Sequence, residues 1–295
     1  ATSTSPRRCG SANWGSAGVS SSGNVALTAG TFTEGTSLLT MTGAGTSLRV
    51  TGPRQLYDLT LNSGGAVSIL TDDLIVTHNV LITAGTFSTA GRNLTVGVAP
   101  GAAGTGNITA GGGVAPVLQT TAAETVTVYG NIDFSVAGNN LTQASGSFIV
   151  LAGGVNTTVN APNESYAGTL RVNKTAGATS VTLGGNLTFT NATGILDMVQ
   201  GTVDLAGFTL RLGTNLTLGS ASATTITVGT GTLDGGTNAR SVSITNGAAT
   251  ITQSTGTLSA SALSVSAGAY TLSGAGTVTV GAGGTSVSGT GTMTL

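Results

Sequence analysis

Short apolar strands return on a fixed beat through this chain, and that beat constrains its fold more than any other feature. Near the C-terminus, Val242-Ser243-Ile244, Ile251, Leu258, Leu263-Ser264-Val265, Leu272, Val278-Thr279-Val280, Val287 and Met293-Thr294-Leu295 follow at roughly seven-residue intervals, separated by Gly, Ser, Asn or Ala. Every third strand falls on one phase. Val242 leads to Leu263, Ile251 to Leu272, Leu258 to Val278, Val265 to Val287 and Leu272 to Met293, each about 21 residues on. A period of this length marks a stacked architecture, because one repeat cannot bury its own apolar face and must borrow its neighbours. The pattern predicts an all-β chain, a parallel β-helix or β-solenoid with about three short strands per 21-residue coil. At about 4.8 Å between stacked strands, about 13 coils would rise about 60 Å.

The beat begins at residue 25. Residues 1–24 are mostly Ser, Thr, Gly and Ala, with Arg7, Arg8, Cys9 and Trp14 embedded, and read as an N-terminal cap or docking arm ahead of a solenoid over 25–295. A longer self-similarity is laid over the short one. The stretch 53–96 matches 162–212: Leu59-Thr60-Leu61-Asn62 aligns with Leu170-Arg171-Val172-Asn173, and Ala90-Gly91 with Ala206-Gly207, as if a unit of roughly 110 residues had been duplicated. Inside the first copy the short beat persists, from Leu59 to Val80, Val67 to Phe87 and Leu74 to Leu94. Tandem immunoglobulin-like sandwiches also place strands every 7 to 12 residues, but nothing in a sandwich holds every third strand on a constant phase.

Charge is scarce. Nine basic and ten acidic residues among 295 leave a net charge of −1, while Gly alone contributes 48. No basic stripe is present to attract nucleic acid. The longest apolar runs, such as Phe148-Ile149-Val150-Leu151-Ala152, fall far short of the ~20 residues that span a bilayer, so no membrane insertion is expected. The chain begins at Ala1 without a charged-then-apolar leader, which predicts a mature form, exported with a cleaved signal to the extracellular space or cell surface.

An active site needs clustered titratable groups, and these are thin. His78 is the single histidine and reads as a strand or turn residue; Asp72-Asp73 is the one adjacent acidic pair and reads as a turn; Lys174 is the single lysine and reads as a solvated strand end; Asp133, Asp197, Asp204 and Asp234 are spread singly. No catalytic, metal or cofactor residues are assigned, and the chain is not expected to be an enzyme. Cys9 stands alone, either buried or paired with another molecule. Nine Asn-x-Ser/Thr sites, at Asn93, Asn107, Asn140, Asn156, Asn163, Asn173, Asn186, Asn191 and Asn215, are candidate glycosylation positions. Several sit at a strand entrance as Asn-Leu-Thr, where Asn is also a natural turn residue.

The phrases Gly85-Thr86-Phe87-Ser88-Thr89-Ala90-Gly91-Arg92-Asn93-Leu94-Thr95-Val96 and Gly201-Thr202-Val203-Asp204-Leu205-Ala206-Gly207-Phe208-Thr209-Leu210 resemble the strand repeats of large bacterial surface proteins of the filamentous-haemagglutinin and autotransporter type. The resemblance extends loosely over residues 25–295. It implies a right-handed parallel β-helix displayed on a cell surface as an adhesin stalk or fibre.

A solenoid exposes an unpaired strand ladder wherever its stack stops, and such ladders recruit other chains unless charge, Pro or a cap covers them. From Thr271 to Leu295 there is neither charge nor Pro. The expected function is a structural subunit of an extracellular filament or surface fibre, joined head to tail to copies of itself, with Cys9, Trp14, Met293 and Leu295 as candidate contacts. The alternative is a binding shaft that recognises surface glycans or ice, because Thr-x-Thr pairs recur at Thr31/Thr33, Thr40/Thr42, Thr125/Thr127, Thr188/Thr190, Thr277/Thr279 and Thr292/Thr294. Their uneven spacing argues against a single aligned ice face.

Overall fold

A computed structural model describes residues 2–3, 7–8, 12–28, 32–51, 54–102, 104–136, 138–162, 164–175 and 179–295. Among them there is no helix, and hence none long and apolar enough to cross a membrane. The strands pair in parallel with strands one coil away, which makes the fold a β-solenoid. Coils average about 23 residues over about 12 turns, against the expected 21 and 13. The chain divides into two compact units, Ala1–Ile149 and Val150–Leu295.

In the first unit, apolar residues of successive coils stand on one another in columns. Val19 pairs with Leu39, Leu39 with Leu59, Leu59 with Val80, Val80 with Ile108 and Ile108 with Ile132. From Leu39 onward each of these is no more than 1% exposed. A second column runs Thr46, Val67, Phe87, Leu118, Leu141, and a third Leu56, Val76, Val96, Val128. Alternation along each strand puts the intervening residues outside. A coil alone would leave these columns in water, so cohesion comes from neighbours above and below.

The expected beat holds where Leu59 meets Val80, Val67 meets Phe87 and Leu74 meets Leu94. It then lengthens: Val80 meets Ile108 and Leu94 meets Val126, offsets of 28 and 32. The extra residues leave the stack as two loops, around Val98 and Val114, whose side chains are 54% and 82% exposed. The beat also starts earlier than residue 25. Thr2–Ser3 pairs with the strand Gly18–Ser21, Arg7–Arg8 with Val25–Leu27, and Ala12–Asn13 with Phe32–Thr33. The sequence hides these strands because Ser3, Arg7 and Ala12 occupy positions held by Met41, Leu48 and Phe32 in later coils.

The second unit repeats the scheme. Val181, Val203, Ile226, Ile251, Tyr270 and Met293 form one inward column. Val242 pairs with Leu263, Leu258 with Val278 and Val265 with Val287, as the period predicts. Two expected pairings are corrected. Ile251 meets Tyr270, not Leu272, and Met293 meets Tyr270, not Leu272. One coil here is 19 residues and the next 23; the Tyr270 ring fills the interior and its hydroxyl donates to buried Gln253 at 2.6 Å.

Corners are joined by side chains as well as backbone. Asn24 Oδ1 accepts the Ser47 N–H of the next coil at 2.8 Å, Asn93 that of Thr125, Asn156 that of Ser180, Asn186 that of Thr209 and Asn215 that of Ser241. An Asn at the strand entrance thus satisfies a donor that the turn would otherwise leave unpaired, a contribution on the order of 1 kcal/mol each. The two Ala-Gly pairs matched in the sequence adopt one geometry. Ala90 and Gly91 have φ of 51° and 79°, Ala206 and Gly207 of 49° and 90°, and each pair closes a turn by an N–H to carbonyl bond, Arg92 to Thr89 and Phe208 to Leu205. Two consecutive positive φ values are the type I′ turn.

Candidate functional site

The titratable residues singled out in the sequence fall in different places. His78 lies at a corner of the first unit, half-buried, with Nδ1 2.8 Å from Asp58 Oδ1 and its ring stacked on Tyr57 at 4.6 Å and 12°. The same corner carries an amide ladder: Asn79 N donates to Asp58, Asn107 N to Asn79, and Asn131 N to Asn107. This arrangement orients the imidazole and ties four coils together. Asp73 is also spent on the stack, its two oxygens accepting Asn93 N and Nδ2 at 2.9 and 2.8 Å, while Asp72 is exposed beside it. Among the described residues no group of three or more His, Cys, Asp or Glu could hold a metal.

In the second unit Asp204 accepts the Ala206 N–H of its own turn at 3.0 Å, while Asp197 and Asp234 serve neighbouring coils. Arg171 Nε donates to Asp197 at 2.7 Å, and Arg211 Nε to Asp234 at 2.9 Å, each pair directly opposed across one coil step. Burial alone would raise the Asp234 carboxyl, but bonds from Thr237, Arg211 and Ser259 hold it below the ordinary range.

Other charged groups lie inside, among them Glu164 at 2% exposure, Glu124 and Lys174. Glu124 is 4% exposed and accepts bonds from the Thr89 hydroxyl and the Thr121 and Ala122 N–H groups. Burial would raise its carboxyl; the bonds outweigh burial and leave it lowered. A carboxyl lowered by folding adds stability above its unfolded pKa and loses it as pH falls through the folded value. Glu124→Gln should therefore cost about 2 kcal/mol at pH 7, where charge-assisted bonds are lost, and lose less than wild type between pH 5 and 3, as urea midpoints at each pH would show. Lys174 corrects the expectation of a solvated strand end. It is 1% exposed and donates from Nζ to Ala152 O at 3.0 Å. Along Thr169–Lys174, Leu170, Val172 and Lys174 all take the inward phase.

The described sequon residues divide by burial. Asn140 is 1% exposed and its amide donates to Pro116 O at 2.9 Å. The Asn107 amide donates to both Asn79 and Gly104. Asn93, Asn156, Asn173, Asn186, Asn191 and Asn215 are exposed. Asn163 and Cys9 lie outside the described residues. Trp14 is half-buried, edge-on to the Phe32 ring at 4.9 Å and 86°, and its backbone N–H donates to Thr33 O one coil on.

Two surfaces of the second unit are regular enough to act on something larger than a small molecule. One is the last coil. Thr277–Val287 pairs with Thr257–Val265, and Thr292–Thr294 with Ala269–Leu272, each on one side among the described residues. Val278, Val280 and Met293 hold inward positions but are only half-buried, and Val287 and Leu295 are 49% and 77% exposed, whereas Leu258, Leu263 and Tyr270 one coil earlier are at most 1% exposed.

The other surface is a side of the stack. The residues flanking the inward column Val203, Ile226, Ile251, Tyr270, Met293 project outward and line up in two files. Thr202, Thr225, Thr250, Ala269 and Thr292 form the first, and Thr182, Asp204, Thr227, Thr252, Thr271 and Thr294 the second. The Thr225 and Thr250 hydroxyls bond along the first file at 3.0 Å. Of the Thr-x-Thr pairs picked out in the sequence, only Thr292/Thr294 belongs to this array. Thr188 and Thr279 stand on a different face, in a file that passes through Arg211, Asp234 and Ser259, and Thr277 in the file beside it, Thr209, Thr232, Thr257, Thr277. Thr225/Thr227 and Thr250/Thr252 were missed because coil lengths of 23, 25, 19 and 23 blur their period.

No family model matches the chain, and neither does any curated protein or solved structure at a significant level.

Proposed function

We propose that this chain is a structural subunit of an extracellular filament or cell-surface fibre, joined head to tail through the ends of its solenoid to further copies of itself. The observation that carries this reading is the stacking register: an inward column such as Val203, Ile226, Ile251 and Tyr270 is covered only by the coils on either side, so cohesion passes from coil to coil and a further copy can join by the same contact. The strands Thr277–Val287 and Thr292–Thr294 carry no charge to repel a further ladder. Unlike an isologous contact, a ladder that adds coils in one direction does not close on itself, so growth is open-ended. The resemblance of the Gly-Thr-Phe and Gly-Thr-Val repeats to bacterial haemagglutinin-type surface proteins agrees with an exported, surface-displayed chain. The scarcity of charge suits a structure held together by backbone pairing.

Negative-stain microscopy with sedimentation analysis tests the proposal. The wild-type chain is expected to form uniform fibres, and Ser243→Lys on a side face to leave them intact. Val280→Lys with Met293→Lys is expected to give short particles with unchanged circular dichroism. A wild-type chain that stays monomeric at all attainable concentrations, or a double variant that still forms fibres, overturns it.

A further inference from the structure

We propose that the paired threonine files of the second unit are an ice-binding face. It lies on the side of the coils rather than at their end, so it is independent of the filament reading and each can fail alone.

The argument starts from spacing. Parallel coils rise about 4.8 Å, and side chains two apart on a parallel strand are about 6.6 Å apart, so the files form a rectangular grid with those two repeats. A tetrahedral network of hydrogen bonds with oxygen–oxygen distances near 2.75 Å has second neighbours about 4.5 Å apart within a layer, and the hexagonal stacking of its layers repeats at about 7.3 Å. The grid departs from both by about a tenth. Four consecutive coils, from Thr225 to Thr294, keep the grid with a single gap at Ala269.

Residue type points the same way. Threonine places a hydroxyl and a methyl on one β-carbon whose χ1 is restricted by branching, so little rotamer freedom remains to be lost on contact with a rigid lattice. The Thr225–Thr250 bond fixes two of these side chains further. From Thr225 onward neither file contains a charged residue; Asp204 lies just before. The other faces lack this combination. One has the threonine file Thr209, Thr232, Thr257, Thr277, but the file beside it runs through Arg211 and Asp234 and so sets charge against it, and another offers a single file, Thr217, Ser243, Ser264, Ser286. A polysaccharide would call for aromatic platforms beside the polar groups, and the one aromatic residue on these strands, Tyr270, points inward with 0% exposure.

The test is ice recrystallisation inhibition together with thermal hysteresis on the purified chain. Wild type is expected to arrest recrystallisation and open a hysteresis gap. Thr250→Lys with Thr252→Lys should require roughly tenfold more protein for the same inhibition, the loss of about 1.4 kcal/mol of contact, while Ser243→Lys should match wild type. Should the lysine variant lose its β-sheet spectrum, Thr227→Leu with Thr252→Leu replaces it, adding no charge but removing two hydroxyls and breaking the contour. The proposal falls if wild type neither shapes ice nor slows recrystallisation, if a folded file variant retains full activity, if Ser243→Lys loses it equally, or if wild type is retained by crystalline cellulose without any effect on ice.

Discussion

Raising the pH from 8 to 10 should stabilise this protein, against the usual trend, and the rise should vanish in Lys174→Met. Lys174 is the single lysine, 1% exposed, with its ammonium facing a backbone carbonyl. Burial pushes the amine from 10.5 down to about 8. The sign follows from proton counting. Between pH 8 and 10.5 the unfolded chain holds the lysine proton and the folded chain does not, so stability climbs with pH across that window, by about 3 kcal/mol in all. Below pH 8 both states are protonated and the cost of the buried charge is constant. The Lys174→Met variant fills the same space without charge, and should gain about 3 kcal/mol at pH 7 while showing a flat profile from 8 to 10. Above pH 10 the tyrosines reverse the slope. Burial raises the Tyr270 phenol to about 12 and raises that of Tyr166 as well, with the Glu164 carboxylate adding to the latter. A phenol raised by folding adds stability below its unfolded pKa near 10 and loses it as pH rises through the folded value. Denaturant midpoints measured every half unit from pH 7 to 11 would show a maximum near 10. A wild-type profile without the climb, or a methionine variant weaker at pH 7, would mean that the ammonium reaches water.

The fold was legible because a solenoid repeats one physical problem. Each coil must place an apolar residue over the last, so Leu59 over Val80 or Leu263 over Val242 can be found by counting. Counting failed where a coil changed length for a reason lying outside its own strands. The coil that ends at Tyr270 is short and the next longer, and the loops around Val98 and Val114 add residues that never enter the stack. The Thr array suffered from the same drift. Its members are aligned in space by register, which hydrogen bonds set, and not by a constant interval in the chain. Lys174 was misread for the opposite reason. Its parity with Leu170 and Val172 points inward, but the usual preference of lysine for water prevailed over the alternation that surrounds it. The corner asparagines show where one signal serves two readings, since an Asn-Leu-Thr that opens a strand is at once a glycosylation acceptor and a turn cap.

How closely the coils approach at their corners can be measured with two alanines. Gly85 and Gly91 share nearly the same backbone, φ of 78° and 79°, so placing an L-residue at either costs about 1 to 2 kcal/mol for the left-handed conformation. They differ in surroundings. A Cβ on Gly85 would stand 2.4 Å from the carbonyl oxygens of both Gly65 and Ser63, while a Cβ on Gly91 meets nothing within 4 Å. The obstructing atoms are backbone of the preceding coil, held by the ladder of Leu56–Leu70 against Leu74–Ser88 and by the Ser63 hydroxyl bonded to Gly43 O at 2.8 Å. They cannot yield without pulling on two coils at once. Gly85→Ala should therefore cost upwards of about 3 kcal/mol, in the range where steric overpacking adds to backbone strain, and Gly91→Ala about 1. Because the two share a conformational penalty, the difference between their denaturant midpoints, at equal slope, reports the clash alone. Equal losses would show that the coils part at this corner without consequence, and that the stack is held by its strand columns and not by its turns.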